Sequence, residues 1–345
     1  MTIGPIPPSA GEEALLDRAR SGDDDAFREL VEPHRTRLHA HCYQILASVP
    51  DAEDALLDAL LRAWASLGQY QGRGSVKAWL YTIATRTALD LAARRPPRTL
   101  PANVDPGEQV QTASDRPDSE SVWLEPYPDE QLALVGGLAS PEARYELRES
   151  VELAFVVALQ LLPPRQRAVL LLREVLAFSA RETATMLQTT EAAVNSALQR
   201  ARAVIAARRP QPSQQATLRA LGDDRSRDLV ARYMDAHERA DLTTMLNLVV
   251  EDASWSMPPA ATWYQGRESI SQFLIDGPFT VRWRHLPAHA NGQLAVGCYI
   301  CDGDRQRYLA AVLDVLTIRG TQIAAVTAFL TPEIFPRFGL PLELD

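Results

Sequence analysis

Residues 179–205 read SARETATMLQTTEAAVNSALQRARAVI. Ser179 and Glu182, three positions later, form a capping box, in which the serine hydroxyl accepts a hydrogen bond from one free helix amide and the glutamate accepts one from another. The box predicts a short helix ending near residue 187. Thr190 predicts a second N-cap, and apolar residues at helical spacing from Val194 onward predict a second helix over residues 191–207. The pattern is therefore that of two helices joined by a tight turn.

The second predicted helix has a polar face opposite its apolar stripe. The small residue Ala184 lies where the first helix must approach the second, as in helix pairs that place a recognition helix in the major groove of DNA. Residues 165–209 hold eight basic residues against three acidic ones, a net charge of +5 that suits phosphate contacts. Short helix pairs also occur in plain helical bundles, so structural packing stays open as the alternative. The polar face, whose arginines and polar groups can reach phosphates and base edges, carries Glu191, Asn195, Ser196, Gln199, Arg200 and Arg202.

Charge is segmented along the 345 residues of the chain. The net charge of −9 argues by itself against a nucleic-acid partner, because a negative field repels DNA. Residues 62–98, however, hold seven basic residues against one acidic residue, for a net charge of +6. Residues 101–135 hold eight acidic residues against one arginine, for a net charge of −7. Two basic helical stretches joined by an acidic linker indicate two modules that face nucleic acid.

Length and composition predict a multidomain globular protein. At about 100–200 residues per domain, the chain holds two or three domains, and 46% hydrophobic with 23% charged residues is a globular composition. The lack of a run of about 18 apolar residues, or of an apolar leader, argues against a membrane partner. Three cysteines are too few for a disulfide framework, which fits the cytoplasm. Neither the pair Cys298 and Cys301 nor the histidines near Cys42 predict a metal site, and no cofactor is expected.

Residues 14–93 read as consecutive amphipathic helices. The acidic sequence Asp51-Ala52-Glu53-Asp54 suits a helix N-terminus, and Pro96-Pro97 ends the helical region. The apolar face predicted for the helix that starts near Asp51 consists of Leu56, Leu60, Leu61 and Trp64.

The acidic linker contains the motif Val122-Trp123-Leu124-Glu125-Pro126-Tyr127-Pro128-Asp129. A flexible spacer rich in Pro, Ser, Asp and Glu has no need of two aromatic residues. The motif is therefore predicted to dock on a surface, and chance aromatic residues in a loop are the alternative.

The pattern changes after a second linker that begins at Pro210. An amphipathic helix follows Arg225, a short helix is predicted near residues 269–274, and apolar residues then alternate with polar ones as in strands. Turns are predicted at Asn291-Gly292, Asp302-Gly303 and Arg319-Gly320. The last two strands are predicted at residues 308–318 and 322–330. This order of elements predicts an α+β cone with a curved antiparallel sheet.

These motifs in this order resemble a bacterial sigma-70 family factor of the extracytoplasmic-function (ECF) group. The resemblance covers roughly residues 12–98 and 141–208. The motifs that carry it, besides the helix pair, are Asp51-Ala52-Glu53-Asp54 with Arg62-Ala63-Trp64, Trp79-Leu80-Tyr81-Thr82-Ile83-Ala84 and Leu162-Pro163-Pro164-Arg165-Gln166-Arg167. The linker motif and the cone are similar to the subset of these factors fused to a SnoaL-like domain of the nuclear-transport-factor-two-like superfamily.

The resemblance implies two all-α sigma modules followed by the α+β cone. The implied segments are sigma domain 2 at residues 12–98, the acidic linker at 99–140, sigma domain 4 with its helix-turn-helix at 141–209, a linker at 210–224 and the SnoaL-like domain at 225–345.

The resemblance also implies a transcription initiation factor that binds core RNA polymerase and promoter DNA. The helix at residues 51–67 matches the segment that docks on the polymerase clamp, and Leu57 stands in it where the family usually has glutamine. Residues 162–175 match the part that faces the polymerase flap. The residues implied at the clamp are Asp51, Glu53, Asp54, Asp58 and Trp64.

Residues 69–98 match the part of the family that recognises and melts the minus-ten promoter element, where an unstacked base must be captured. Tyr70 and Arg86 fall at family pocket positions, while Trp79 is equally compatible with a buried core and with a DNA contact. The residues implied at this element are Tyr70, Arg73, Lys77, Trp79, Arg86, Arg94 and Arg95. The helix at residues 191–207 matches the reader of the minus-thirty-five element.

The cone is expected to regulate the sigma modules through intramolecular contact. The alternatives are a small-ligand sensor and an enzyme of the cone superfamily whose helical modules serve localisation or regulation, with His285 and Asp314 as an acid–base pair. Because fold analogy alone transfers no activity, the chain is not expected to be an enzyme. The residues predicted to line a cone pocket are Trp255, Met257, Trp263, Trp283, His285, Asp314 and Phe329.

Overall fold

The computed structural model describes residues 10–70, 72, 75–96, 98–100, 123–130, 141–208, 212–303 and 307–345. Most of the acidic linker lies outside these residues, as does Arg73, which was predicted at the minus-ten element. The chain divides into two compact units. The first comprises Met1–Pro97, Gln131–Ser150 and Ala154–Arg209, and the second comprises Arg98–Glu130, Val151–Leu153 and Pro210–Asp345. Within the described ranges, no helix is both long enough and apolar enough to cross a membrane.

The first unit begins with helices α1 (Ala10–Arg20), α2 (Asp24–Leu46), α3 (Val49–Ser66) and α4 (Val76–Ala92), which we call the first module. The last three begin at a side chain that accepts a hydrogen bond from a free amide of the first turn. Asp23 caps α2, Ser48 caps α3 and Ser75 caps α4. The predicted run of helices over residues 14–93 is confirmed.

The buried face of α3 differs from the predicted one. Leu61, expected on the apolar face, is 60% exposed, and its neighbour one turn earlier, Leu57, is 61% exposed. The α3 residues that are buried beyond its first turn are Ala52, Ala55, Leu56, Ala59 and Ala63. Alanine lets helices approach closely, so this stripe of small residues packs against α2 and α4. Leu57 and Leu61 lie on the opposite, exposed side of α3.

The first unit continues with α5 (Pro141–Val151), α6 (Leu153–Gln160), α7 (Pro164–Leu170), α8 (Ala180–Met186) and α9 (Glu191–Arg208), which we call the second module. A π-helical turn, Leu171–Val175, follows α7 and was not predicted. The two predicted helices of residues 179–205 are confirmed as α8 and α9.

The second unit contains helices α10 (Gln214–Leu221), α11 (Asp223–Glu238), α12 (Leu242–Leu248) and α13 (Gly266–Asp276). The strands are β1 (Val249–Ser256), β2 (Trp263–Gln265), β3 (Trp283–Ala290), β4 (Gln293–Asp302), β5 (Arg307–Arg319), β6 (Gln322–Phe329) and β7 (Glu343–Leu344). They form one sheet in the order β2-β1-β6-β5-β4-β3, with β7 paired to β5.

Two features of this cone domain differ from expectation. Strand β1 pairs with β6 in parallel, so the sheet is mixed rather than antiparallel. The pairing joins strands far apart in the sequence, and local turn residues carry no information about it. Residues 210–224, predicted as a linker, contain α10, whose first turn is capped by Ser213.

The hairpin turns were predicted well. Asn291 and Gly292 have φ values of 57° and 68°, the left-handed conformation that a two-residue turn between β3 and β4 requires. Gly320, with a φ of 64°, turns β5 into β6. The predicted strands at residues 308–318 and 322–330 match β5 and β6 to within one residue at each end. The turn at Asp302-Gly303 lies partly outside the described residues.

Candidate nucleic-acid interface

The helix pair α8–α9 is built by the caps that its sequence predicts. Ser179 Oγ accepts a hydrogen bond from the Glu182 amide at 3.1 Å, and Glu182 Oε2 accepts one from the Ser179 amide at 2.8 Å. Thr190 Oγ1 accepts from the amide of Ala193 at 3.2 Å and starts α9. Val194 and Leu198 lie on the buried stripe of α9, so the direction of its outer face is determined.

The predicted recognition residues all lie on the exposed face of α9. Arg200 Nη1 donates to Ser196 Oγ at 2.7 Å, one turn earlier on the same helix. Arg202 forms an ion pair with Glu174 at 2.5 Å, which directs it toward the second module's own surface. Asn195, Gln199 and Arg200 are therefore the main exposed side chains that point away from the module.

The minus-ten candidates Tyr70 and Trp79 form a pair of aromatic rings in the first module. Their ring centroids are 5.0 Å apart. Tyr70 is buried, and its backbone carbonyl accepts a hydrogen bond from Arg20 Nη2 at 2.5 Å. Trp79 is half-buried, so it serves as a packing partner for Tyr70 while keeping part of its ring at the surface.

Two further minus-ten candidates are engaged by the second module. Arg86 Nε donates to the carbonyl of Met186, the last residue of α8, at 2.9 Å. Lys77 Nζ lies 5.3 Å from the centroid of the Phe178 ring, in the turn before α8. Burial is the main cause that lowers the pKa of Lys77. The two modules thus pack against each other, and cationic side chains assigned to DNA lie in the contact.

The remaining candidates of this group, Arg94 and Arg95, both lie at the surface. Arg94 is exposed. Arg95 Nη1 lies 3.1 Å from Asp51 Oδ1, so a residue assigned to DNA pairs with a residue assigned to polymerase. Asp51 is buried at the start of α3, where its amide donates to Ser48 Oγ. Its position is that of a structural residue of the helix start rather than of an exposed clamp contact.

The other clamp candidates lie on the outer side of α3. Glu53 and Asp54 are exposed, and Asp58 forms an ion pair with Arg62 at 2.8 Å. Trp64 packs edge-on against Phe27, with ring centroids 5.0 Å apart, so it holds α3 to α2. The exposed leucines Leu57 and Leu61 share this side with the acidic residues. An apolar pair beside carboxylates suits a partner surface that is basic at its rim and apolar at its centre.

A buried arginine missed by the sequence reasoning ties the modules together. Arg167 donates to the carbonyls of Leu159 at 2.9 Å, Leu162 at 3.1 Å and Gln160 at 3.3 Å, and also to the carbonyl of Ile45 near the end of α2. A cation suits helix C-termini, where carbonyls are left unpaired. Burial lowers the pKa of Arg167 to about 10. Its place in the motif at residues 162–167 was the available signal.

A second buried tie joins α2 to the second module. The Gln44 side-chain amide donates to Ser150 Oγ at 2.8 Å and to the Ser150 carbonyl at 3.1 Å. Gln160 donates back to the Gln44 carbonyl at 3.3 Å. Because buried polar groups are costly to separate, these bonds favour the packed arrangement of the two modules.

The aromatic linker motif docks on the β3–β4 hairpin, as predicted for a segment that is not a plain spacer. Asn291 Oδ1 accepts from the Tyr127 amide at 2.8 Å, and the Asn291 amide donates to the Tyr127 carbonyl at 2.8 Å. Gly292 donates to Asp129 Oδ1 at 2.7 Å. Tyr127 and Leu124 are fully buried. The hairpin turn therefore also forms the binding site for the linker motif.

The same hairpin holds the short segment Val151–Leu153, which belongs to the second unit. Asn291 Nδ2 donates to the Val151 carbonyl at 2.7 Å, and Gln293 Oε1 accepts from the Leu153 amide at 3.0 Å. Glu152 Oε1 accepts from the Gln215 amide at 2.7 Å. Two stretches that lie on either side of residues 131–150 are thus fastened to the cone domain.

The cone interior contains a buried polar cluster. Asp314 Oδ2 accepts from Tyr233 Oη at 2.8 Å and from Cys298 Sγ at 3.3 Å. Burial raises the pKa of Asp314 to about 6, opposed by these two hydrogen bonds. His285 bonds through Nδ1 to Glu238 Oε1 at 3.1 Å, and burial lowers its pKa to about 4. His285 and Asp314 each have other partners, so the acid–base pair envisaged for an enzyme is not formed.

The predicted pocket residues are divided between the two faces of the sheet. Trp255, Trp283 and Met257 belong to or pack against the core cluster that contains Tyr233. Trp263 does not, because Tyr264 is the residue paired with Trp255 and shares its face. Phe329 pairs with Leu313, on the face opposite Asp314 and Ala328. Trp263 and Phe329 are each one residue away from an inward-facing position, so their side chains lie on the other face of the sheet.

The structure describes no metal centre. Within the described residues, no group of three or more His, Cys, Asp and Glu side chains is arranged to hold an ion. Cys42, Cys298 and Cys301 are free thiols.

Fold and surface together define a modular protein whose capped helix-turn-helix presents an exposed polar and cationic face. Family models match three parts of the chain: Sigma-70 region 2 at residues 30–96, Sigma-70 region 4 at residues 152–205 and the SnoaL-like domain at residues 230–326. The ECF RNA polymerase sigma factor SigG of Mycobacterium tuberculosis is 40% identical over 336 residues, which cover 94% of this chain and 86% of the relative. SigJ of the same organism is 27% identical over 327 residues, covering 90% of this chain and 93% of the relative.

The chain therefore belongs to the family of ECF RNA polymerase sigma factors and carries a SnoaL-like domain at its C-terminal side. The crystal structure of the M. tuberculosis ECF sigma factor SigJ has the same fold, with a TM-score of 0.58 and 24% identity over 90% of this chain and 98% of that one. The family consists of non-enzymatic transcription initiation factors, so the expectation that the chain is not an enzyme is confirmed by this relationship.

Proposed function

We propose that the chain directs core RNA polymerase to promoters, with α9 reading the minus-thirty-five element and the first module binding and opening the minus-ten element. The observation that carries this proposal is the outer face of α9. Asn195, Gln199 and Arg200 are exposed on a helix whose start and buried stripe are both set by its sequence. Amide and guanidinium groups on such a face match the donor and acceptor patterns of the major groove.

The minus-ten element would be bound by Tyr70, Trp79, Lys77 and Arg86, with Arg94 on a phosphate. In the packed arrangement Arg86 is bonded to Met186 and Lys77 lies against Phe178. Arg86 must leave the α8 carbonyl before it can contact DNA. Promoter binding therefore requires the two modules to separate, and polymerase is the partner that would hold them apart.

The polymerase clamp would be bound by the outer side of α3. Its centre is the exposed pair Leu57 and Leu61, with Glu53, Asp54 and Asp58 beside it. The leucines supply apolar area, and the carboxylates favour a basic partner and aid its approach. Leu57 would replace the polar contact of the family's glutamine by an apolar one.

The SnoaL-like domain would modulate this activity through the linker. Tyr127 and Asp129 are held by the β3–β4 hairpin, and the same hairpin holds Val151 and Leu153. Because both stretches are fastened to one hairpin, less free chain connects the two sigma modules. This restricts how far the modules can separate. Release of the linker motif would remove that restriction.

The proposal is tested by mapping transcription start sites. Core polymerase with the full chain is expected to produce discrete starts on promoter-bearing DNA, each preceded by a shared pair of sequence elements. Core polymerase alone, and core polymerase with an unrelated acidic protein, are the controls. Transcripts that begin at random positions with the full chain present would refute the proposed function.

A further inference from the structure

A cavity of about 230 Å³ lies within the first unit, where the two modules meet. Helices α2 and α4 of the first module form one wall, and α5 with the segment between the π-helical turn and α8 forms the other. The volume is small compared with the roughly 300–1,000 Å³ of drug-sized ligand sites. It is ample for a molecule built around a single ring.

Two buried side chains that line this cavity each contain a polar atom without a partner among the described residues. Tyr81 Oη and His41 Nδ1 have no hydrogen-bond partner among the described residues. Each of the two residues is only 1% exposed. The other ring nitrogen of His41, Nε2, lies 2.8 Å from Thr85 Oγ1. A buried unpaired polar group costs about 1–3 kcal/mol. An occupant of the cavity that offers a hydrogen-bond partner to one of these groups would remove part of that cost.

The lining also carries two cationic side chains. Arg37 and Lys77 are both half-buried, and among the described residues neither forms an ion pair. Burial first, and then repulsion by Arg37, lowers the pKa of Lys77, and attraction by Glu182 opposes this lowering. Glu146, which also lines the cavity, is exposed at its rim. An anion between the cations would relieve this repulsion.

The remaining lining is apolar. Leu147 and Leu176, on the second module's wall, lie among the residues that enclose the cavity. The site therefore combines two cations, a hydroxyl donor and an imidazole on one wall with aliphatic surface on the other. Such a lining selects a ligand with one anionic end and one apolar end.

We propose that this cavity binds a small organic anion, a carboxylate or phosphate monoester whose apolar part is about one ring in size. The anionic group contacts Arg37, Lys77 and Tyr81, and the apolar part lies on Leu147 and Leu176. Because the walls come from both modules, the ligand stabilises the packed arrangement in which Arg86 is bonded to Met186. This last step, inhibition of promoter-directed transcription, rests on the proposed function.

The test is calorimetric titration of the full chain with phenyl phosphate and with phenylacetate. Benzyl alcohol tests the need for charge, and inorganic phosphate tests the need for the ring. One of the two aromatic anions is expected to bind with one-to-one stoichiometry, and the stronger of them identifies phosphate or carboxylate as the natural head group. Benzyl alcohol and inorganic phosphate are expected to bind at least about tenfold more weakly, a difference of about 1.4 kcal/mol.

Variants locate the binding. Arg37→Met and Tyr81→Phe are each expected to weaken the preferred anion about tenfold or more, as loss of a charge-assisted or buried hydrogen bond predicts. Tyr81→Phe removes a hydroxyl that is unpaired in the free protein, so its melting temperature should not fall. Arg35→Met, on an exposed part of α2, is the matched control and should bind normally.

Absence of binding by both anions, or equal affinity in all variants, would overturn the site. Water would then be the only occupant. Transcription is a separate readout: the preferred anion should reduce start-site-specific transcripts with the parent chain and have little effect with Tyr81→Phe. Binding without that reduction overturns the inhibitory role alone. A chain that binds the anion but never supports promoter-specific starts refutes the proposed function and leaves the site intact.

Discussion

The carboxyl group of Asp314, buried in the cone interior, links the stability of the fold to pH. It is fully enclosed by Tyr233, Cys298 and the apolar core. Burial raises its pKa to about 6, above the value of 3.8 that an exposed aspartate has. The folded state therefore favours the protonated carboxyl, and its contribution to stability is fully present below pH 4 and is lost as the pH rises through 6.

The first prediction is a pH-dependent difference between the parent chain and Asp314→Asn. The asparagine cannot ionise and still accepts a hydrogen bond from Tyr233. The free energy of unfolding of the parent minus that of the variant should fall by about 2 kcal/mol between pH 4 and pH 7, because most of the energy of a shift of about two pKa units is lost in this interval. Chemical denaturation monitored by tryptophan fluorescence measures it. A difference that does not change with pH would contradict the buried, neutral carboxyl.

The second prediction concerns Arg167, whose guanidinium bonds carbonyls of α2 and α6. Arg167→Met removes the donor that these buried carbonyls share, so unfolding should become easier by about 3 kcal/mol or more. Arg165→Met, two residues earlier on the same helix and exposed, should change stability by less than about 0.5 kcal/mol. Urea denaturation of both variants decides the matter, and similar midpoints for the two would contradict the proposed tie between the modules.

At the scale of elements, the helix starts and hairpin turns that depend on neighbouring residues were predicted correctly. Ser179, Glu182 and Thr190 cap α8 and α9 as their spacing predicts, and Asn291-Gly292 makes the predicted turn. These signals are contained within a few residues of the chain. The parallel pairing of β1 with β6 is not, because it depends on where the rest of the sheet places β6.

The candidate sites show the same division. The exposed face of α9 follows from helix periodicity and was predicted in full. The ion pair between the buried Asp51 and the exposed Arg95 joins the start of α3 to the segment that follows α4, and the residue types alone suggested two separate surfaces instead. Trp263 and Phe329 were misplaced because a strand's inner face reverses with each residue.

The third prediction tests the exposed side of α3. Replacing both Leu57 and Leu61 by serine should weaken binding to core polymerase about tenfold or more, since burial of apolar surface is the main driving force of most protein–protein association. The melting temperature should be unchanged, because neither side chain is buried. Leu161→Ser, at a leucine that is 50% exposed in the second module, is the control. Fluorescence anisotropy of labelled protein against core polymerase gives the affinity, and unaltered binding would exclude this face as the clamp contact.

At the scale of the whole molecule, the net charge of −9 conceals a division of labour. The basic stretches lie largely within the two sigma modules, while the acidic excess includes the linker and the outer side of α3. Most of the linker lies outside the described residues, but its aromatic motif is bound by the cone domain through Asn291. The SnoaL-like domain thus holds the aromatic motif of the linker.

The fourth prediction tests this hold. Asn291→Gly keeps the left-handed turn but removes the side-chain bonds to the Tyr127 amide and the Val151 carbonyl. The Tyr127 amide should then exchange its hydrogen faster, by about tenfold or more for a loss near 1.4 kcal/mol. Asn291→Asp keeps the oxygen that accepts from Tyr127 and should retain most of the protection. Equal exchange in all three proteins, measured by mass spectrometry of the linker peptide, would show that Asn291 does not hold the motif.

The most direct test of the central claim is promoter-specific transcription by core polymerase with the full chain carrying Gln199→Ala and Arg200→Ala. The recognition face predicts a reduction of about tenfold or more at the parent promoter, as loss of one or two base contacts implies. The variant should also lose its sensitivity to substitutions in the minus-thirty-five element, whereas Arg232→Ala, on the exposed side of α11, should behave like the parent. Transcription by the double variant that equals the parent's, with the same sensitivity to that element, would contradict the assignment of α9 as the reader.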